Sequence, residues 1–95
     1  MSFVLGVVLY VALVGALDAR YDVVLANIES KTLVELAPAL AARVASGGLL
    51  VLSGILAADV APAQLEEVRS AYRDLGEERI VQKGEWVAVV LRNAP

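Results

Sequence analysis

The sequence predicts a single α/β domain: a mostly parallel sheet with helices packed on it, closed by a C-terminal hairpin whose last strand runs antiparallel. Three observations carry this expectation. Short apolar runs of strand length alternate with stripes of helical spacing, in the order strand, helix, strand, helix, strand, strand. Each of the two strand-helix-strand units requires a crossover, which makes its strands parallel. The last two strands are separated only by a short turn at Lys83-Gly84, which leaves them antiparallel.

Taken in order, residues 1–17 carry no charged side chain. Their β-branched content (Val4, Val7, Val8, Val11 and Val14) favours a buried strand, because a strand covered on both faces reads as a continuous apolar run. A membrane span needs about 20 apolar residues, and a secretory signal needs Lys or Arg ahead of its apolar stretch, which Met1-Ser2 does not supply. A membrane or export segment, or a helix packed on the sheet, is the alternative. Val23 to Ala26 is the next strand, bounded by Tyr21-Asp22 and Asn27. Thr32-Leu33-Val34-Glu35 has the form of a capping box, so a helix is expected from Thr32. Leu33, Leu36, Leu40 and Val44 form its apolar stripe and Gly47-Gly48 its stop, with Pro38 making the first half irregular. Leu49 to Leu52 is a strand ending in Ser53-Gly54, and Ile55-Leu56 are expected in a loop. Pro62 suits a first helical position, followed by the stripe Leu65, Val68, Tyr72, Leu75 and a stop at Gly76. Arg79 to Gln82 and Trp86 to Leu91 are the hairpin strands, with Trp86 expected as an apolar anchor and Glu66, Glu67 and Arg69 as a solvated helix face.

The composition narrows the chemistry. At 95 residues the chain makes one small domain, and 59% hydrophobic content supplies a rich core. A net charge of -3, with Lys and Arg scattered, gives no field for phosphate backbones, so direct nucleic-acid binding is not expected. The absence of Cys and His removes disulfides, thiolate nucleophiles, most zinc sites and the usual near-neutral base. Any chemistry must use carboxylates, amides, hydroxyls or a cofactor. In a largely parallel sheet, ligands sit beyond the carboxyl ends of the strands. Asn27 and Ser53-Gly54 fall there on neighbouring strands. Each also has a purely structural reading, since Asn and Ser-Gly commonly close turns.

The blocks "YDVVLANI", "LAPAL", "GGLLVLSGIL" and "GEWVAVVL", in that order and spacing, resemble the carboxyl-terminal half of the ribosomal protein L-eleven methyltransferase family, from about Tyr21 to Leu91. The resemblance implies a partial Rossmann-like methyltransferase sheet, S-adenosylmethionine as cofactor and a ribosomal protein as the substrate of N-methylation in the cytoplasm. It implies that Asn27 is the catalytic and cofactor-binding asparagine after the family's fourth strand, with Ile28, Ser53 and Gly54 lining the substrate side. The glycine-rich turn and the ribose-holding acidic residue of such folds cannot be made from the glycines present. The chain is therefore expected to represent half a catalytic domain, beginning near the family's third strand and inactive alone. Its exposed sheet edge is expected to be covered by the amino-terminal segment or by a second copy in a homodimer. A non-catalytic interaction module or a small membrane-tethered protein is the alternative function.

Overall fold

A computed structural model describes residues 20–95. The expected amino-terminal strand, residues 1–17, lies outside the described residues. The elements are β1 (Tyr21–Asn27), α1 (Ser30–Glu35), α2 (Ala37–Ala41), β2 (Val44–Leu56), α3 (Pro62–Ala71), β3 (Gly76–Lys83) and β4 (Trp86–Arg92). They form a four-stranded sheet in the order β1-β2-β4-β3.

The sheet is mixed, not mostly parallel. Only β1 and β2 pair in parallel; β4 is antiparallel to both β2 and β3. The α3 crossover carries β3 past a gap one strand wide, and the turn at Gly84 (φ 62°) returns β4 into that gap. Thus β1, β2 and β3 point the same way, yet two of the three pairings are antiparallel. The connections were legible from the sequence, and the family resemblance implies a last antiparallel strand inserted by a hairpin between two others, which is where β4 lies.

Several boundaries also move. The helix expected from Thr32 starts at Ser30, and the Thr32 hydroxyl bonds Glu29 Oε1 at 3.3 Å instead of capping toward Glu35. The helix breaks at Leu36, and Pro38 sits in the first turn of α2, where its missing N–H leaves no intrahelical bond unmade. Gly47-Gly48 do not stop a helix but lie inside β2, which is 13 residues long. Pairing there jumps from Tyr21↔Val44 to Val23↔Leu49, so β2 bulges beside β1. Gly47 takes φ 74°, and a Cβ on Gly48 would meet the Asp22 carbonyl at 2.9 Å, so the bulge brings backbone against backbone. Ile55 and Leu56 belong to β2, paired with Val87 and Trp86, and not to a loop. The last helix ends at Ala71, and Gly76 opens β3.

One face of the sheet packs on the helices. Val24 and Ala26 of β1, Leu50, Leu52 and Ile55 of β2, and Val87, Val89 and Leu91 of β4 are buried there with Leu33, Leu40 and Val68. β3 is exposed along its whole length, and Glu77, Glu78, Arg79 and Lys83 protect it as an edge strand. Arg69 pairs with Glu77 at 2.8 Å and Arg92 with Glu78 at 2.5 Å, which closes α3 and β4 onto β3 at the surface.

The break between α1 and α2 is stabilised from across the core. The Tyr72 hydroxyl donates to the Leu33 carbonyl at 2.6 Å, one of the last four carbonyls of α1, which have no intrahelical partner. Burial raises the pKa of this phenol. Tyr72→Phe is expected to cost about 1–2 kcal/mol by leaving that carbonyl unpaired. The raised native pKa stabilises the fold below the ordinary phenol value near 10, and that stability is lost as pH climbs above it, because the unfolded chain ionises first. Urea midpoints at pH 8 and pH 11 should therefore fall less on alkalisation for Tyr72→Phe than for the native chain.

Candidate functional site

The parallel pair β1·β2 ends with Asn27 opposite Ser53 in register. Asn27 is the last residue of β1, while β2 continues past Ser53 to Leu56, so the parallel pairing ends here at the side where a topology of this kind opens toward ligands. Asn27 follows the alternation of β1, in which Val24 and Ala26 point to the core, so its side chain shares the opposite face with Val23 and Leu25. It is exposed, and no hydrogen bond among the described residues ties its carboxamide.

Gly54 shapes this site. Its φ is 81°, in the left-handed region that glycine tolerates, and a Cβ there would lie 2.6 Å from Asn27 Oδ1 and 3.3 Å from the Ile28 carbonyl. The Asn27 carboxamide thus rests in a notch that exists because residue 54 has no side chain. The same residue lies where pairing with β4 slips between Leu52 and Ile55, so a bulge turns the end of β2 away from the ladder. Ser53 is half-buried beside it. Ile28 is different: its side chain is half-buried and packs against the core, leaving its backbone to face the notch.

The structure therefore brings Asn27, Ser53 and Gly54 together and presents Ile28 through its main chain. Gln64 was not singled out from the sequence. Its Oε1 accepts from the Leu56 N–H at 3.0 Å and anchors the end of β2 to the first turn of α3. A glutamine two residues after a first-turn proline gives no sign of that role. Trp86, expected as a hydrophobic anchor of its strand, is 51% exposed. Glu66, Glu67 and Arg69 are on the exposed face of α3, as a solvated face requires. A separate open groove of about 1220 Å³ runs between α1 and α3 over Val34, Pro62 and Ala71, with Glu35, Glu67 and Arg73 on its sides, and Asn27, Ser53 and Gly54 do not line it. Among the described residues no helix is long and apolar enough to cross a membrane.

For S-adenosylmethionine the fit is partial. A carboxamide that no described residue hydrogen-bonds, over a glycine notch, suits the close approach of a small reacting group. None of the named site residues is acidic, so they offer no carboxylate for ribose hydroxyls.

Comparison with known proteins bears on this site. The sequence model of the family "Ribosomal protein L11 methyltransferase (PrmA)" matches residues 5–94. The ribosomal protein L11 methyltransferase of Pelobacter propionicus is 47% identical over 79 residues, covering 83% of this chain and 25% of that protein. The one from Chromohalobacter salexigens is 50% identical over 74 residues, 76% of this chain and 23% of that protein. The chain spans about a quarter of the length of these curated relatives. Among solved structures, the ribosomal protein L11 methylase of Lactobacillus delbrueckii subsp. bulgaricus superposes with a TM-score of 0.71 at 21% identity, over 86% of this chain and 41% of that one. The N-methyltransferase NodS of Bradyrhizobium japonicum superposes with a TM-score of 0.59 at 15% identity, over 84% and 55%. At these identities the superpositions establish a shared fold, while the sequence match assigns the lineage: the chain belongs to the ribosomal protein L11 methyltransferase family.

Proposed function

We propose that this chain carries the carboxyl-terminal half of the catalytic domain of an S-adenosylmethionine-dependent protein N-methyltransferase acting on ribosomal protein L11, with Asn27 at the methyl-transfer site. The observation that carries the proposal is the Asn27 carboxamide, without a hydrogen bond among the described residues, seated on the Gly54 notch where the parallel pairing ends. The family membership supports the same reading.

Bound S-adenosylmethionine would supply an electrophilic methyl group whose bond to sulfur breaks as the new carbon-nitrogen bond forms. This chain contributes orientation. Asn27 Oδ1 accepts a hydrogen bond from an incoming neutral amine, which turns the nitrogen lone pair along the line of attack, and the Nδ2 group remains to donate. Ser53 and the main chain at Ile28 border the approach, and Gly54 sets how deeply the carboxamide sits. The proton released by the methylated nitrogen passes to solvent.

The experiment is a chimera: residues 20–95 replace the matching part of the Pelobacter propionicus relative, and methylation of its ribosomal protein L11 is measured. Transfer at a rate near that of the parent supports the proposal. A folded chimera that binds cofactor yet transfers no methyl group overturns it. The isolated chain is expected to bind S-adenosylmethionine no tighter than about 1 mM, roughly -4 kcal/mol, by isothermal titration. Tighter binding would show that these residues hold the cofactor unaided.

A further inference from the structure

Gly54, which forms the notch under Asn27, has no strand partner on either side. Pairing with β1 ends at Ser53, and pairing with β4 skips from Leu52 to Ile55. Its position is therefore set by what holds the chain before and after it. Before it, Ser53 is in register with Asn27. After it, Ile55 and Leu56 pair with Val87 and Trp86, and the Ala57 N–H donates to the Glu85 carbonyl at 2.8 Å. The Leu56 N–H goes instead to Gln64 Oε1, 3.0 Å away on the first turn of α3. A side-chain carbonyl thus does for this N–H what a ladder partner does elsewhere in β2. The bond spans eight residues and is partly buried, so water does not simply replace it.

We propose that Gln64 is a positioning residue for methyl transfer: by holding Leu56 it fixes the bulge at Gly54, and through Gly54 the seat of the Asn27 carboxamide. The proposal rests on the reading of Asn27 given above. Without an acceptor at residue 64, the Leu56 N–H is left unpaired in a partly buried place, and the end of β2 turns toward water to satisfy it. Gly54 lies two residues before Leu56 at φ 81°, where no ladder bond resists that turn. The notch has little slack, since the place of a Cβ on Gly54 is 2.6 Å from Asn27 Oδ1 and 3.3 Å from the Ile28 carbonyl. Misplacing a reacting group by about 1 Å costs about 100-fold in rate, so a shift of about half that size costs about tenfold. If Gln64 only fastened α3 to β2, its loss would lower stability and leave the chemistry intact.

The test uses the chimera with the Pelobacter propionicus relative, measuring single-turnover rate, KM for ribosomal protein L11 and melting temperature. Gln64→Leu removes the acceptor, and Gln64→Asn keeps the carboxamide but is one methylene too short to reach Leu56. Both are expected to lower the rate about tenfold with KM changed by less than about twofold, the pattern of a group that acts on the transition state alone. Gln64→Glu keeps an acceptor oxygen at the same reach and should restore the rate to within about threefold of the parent. In an Asn27→Ala background, Gln64→Leu should cost less than about twofold, because the group it positions is gone. A lowered melting temperature with an unchanged rate overturns the proposal. So does a glutamate variant no faster than the asparagine one, or a full tenfold loss that persists beside Asn27→Ala. Should Gln64→Leu fail to fold, the asparagine and glutamate variants decide. A native-sequence chimera that binds cofactor but transfers no methyl group overturns the reading of Asn27 and this proposal together, whereas an active chimera indifferent to residue 64 overturns this proposal alone.

Discussion

Asn27→Ala, placed in the chimera, is expected to lower methyl transfer to ribosomal protein L11 by about 100-fold, or roughly 2.7 kcal/mol of transition-state stabilisation. Stability should change by less than about 0.5 kcal/mol, because the side chain is exposed and makes no hydrogen bond among the described residues. The separation of the two effects is what distinguishes a site residue from a strand terminator. A turn-closing asparagine would lose stability and leave the rate intact. Asn27→Asp sharpens the distinction: it keeps an acceptor oxygen but removes both donors and adds a charge. If the carboxamide orients the amine through its oxygen alone, the aspartate variant should retain more activity than the alanine variant. Rates from single-turnover assays and midpoints from urea unfolding, measured on the same preparations, decide it.

Gly54→Ala is expected to harm both stability and activity. Alanine at φ 81° is strained by about 1–2 kcal/mol, and its Cβ would lie 2.6 Å from Asn27 Oδ1 before anything moved. Relief requires the carboxamide to swing away or the bulge to flatten, and either displaces the end of β2 relative to β1. A total cost of about 2 kcal/mol lowers the melting temperature of a domain this small by roughly 10 °C. In the chimera, activity should fall further than the small residual unfolding explains, because the amide that remains no longer occupies its notch. Asn27→Ala in the Gly54→Ala background removes the clashing oxygen and should recover part of the stability while leaving the activity lost. A double variant no more stable than Gly54→Ala alone would mean that backbone strain, not the carboxamide, carries the whole cost.

Much of this was readable before any coordinates. The strand at Val23 to Ala26, the strand at Leu49 to Leu52, the helix opening at Pro62 and the hairpin about Lys83-Gly84 all follow from short-range periodicity and turn chemistry. The position of Asn27 at the end of β1 followed as well, whereas Ser53-Gly54, read as the end of the next strand, lie inside β2. The errors share one cause. Gly47-Gly48 carried the signature of a helix stop, but in the folded chain the pair relieves a backbone-to-backbone approach between β2 and the Asp22 carbonyl, a contact between residues distant in sequence. Ile55 and Leu56 followed a Ser-Gly that read as a turn, yet β4 takes up pairing with them beyond the bulge. Trp86 read as an anchor because a large ring packs well at a sheet margin, but the register turns it to the face away from the helices.

The sequence alone determined the element types of residues 20–95, the crossovers, the family and the identity of the group at the end of β1, since periodicity, turn residues and motif order are properties of neighbouring positions. Only the tertiary structure decided that two of the three pairings are antiparallel, that one sheet face meets the helices while the other carries apolar side chains exposed among the described residues, and that Gly54 lies under the Asn27 oxygen. Those outcomes depend on which strand edge a returning hairpin captures and how closely two backbones approach, and such distances are set by the packing of the whole sheet.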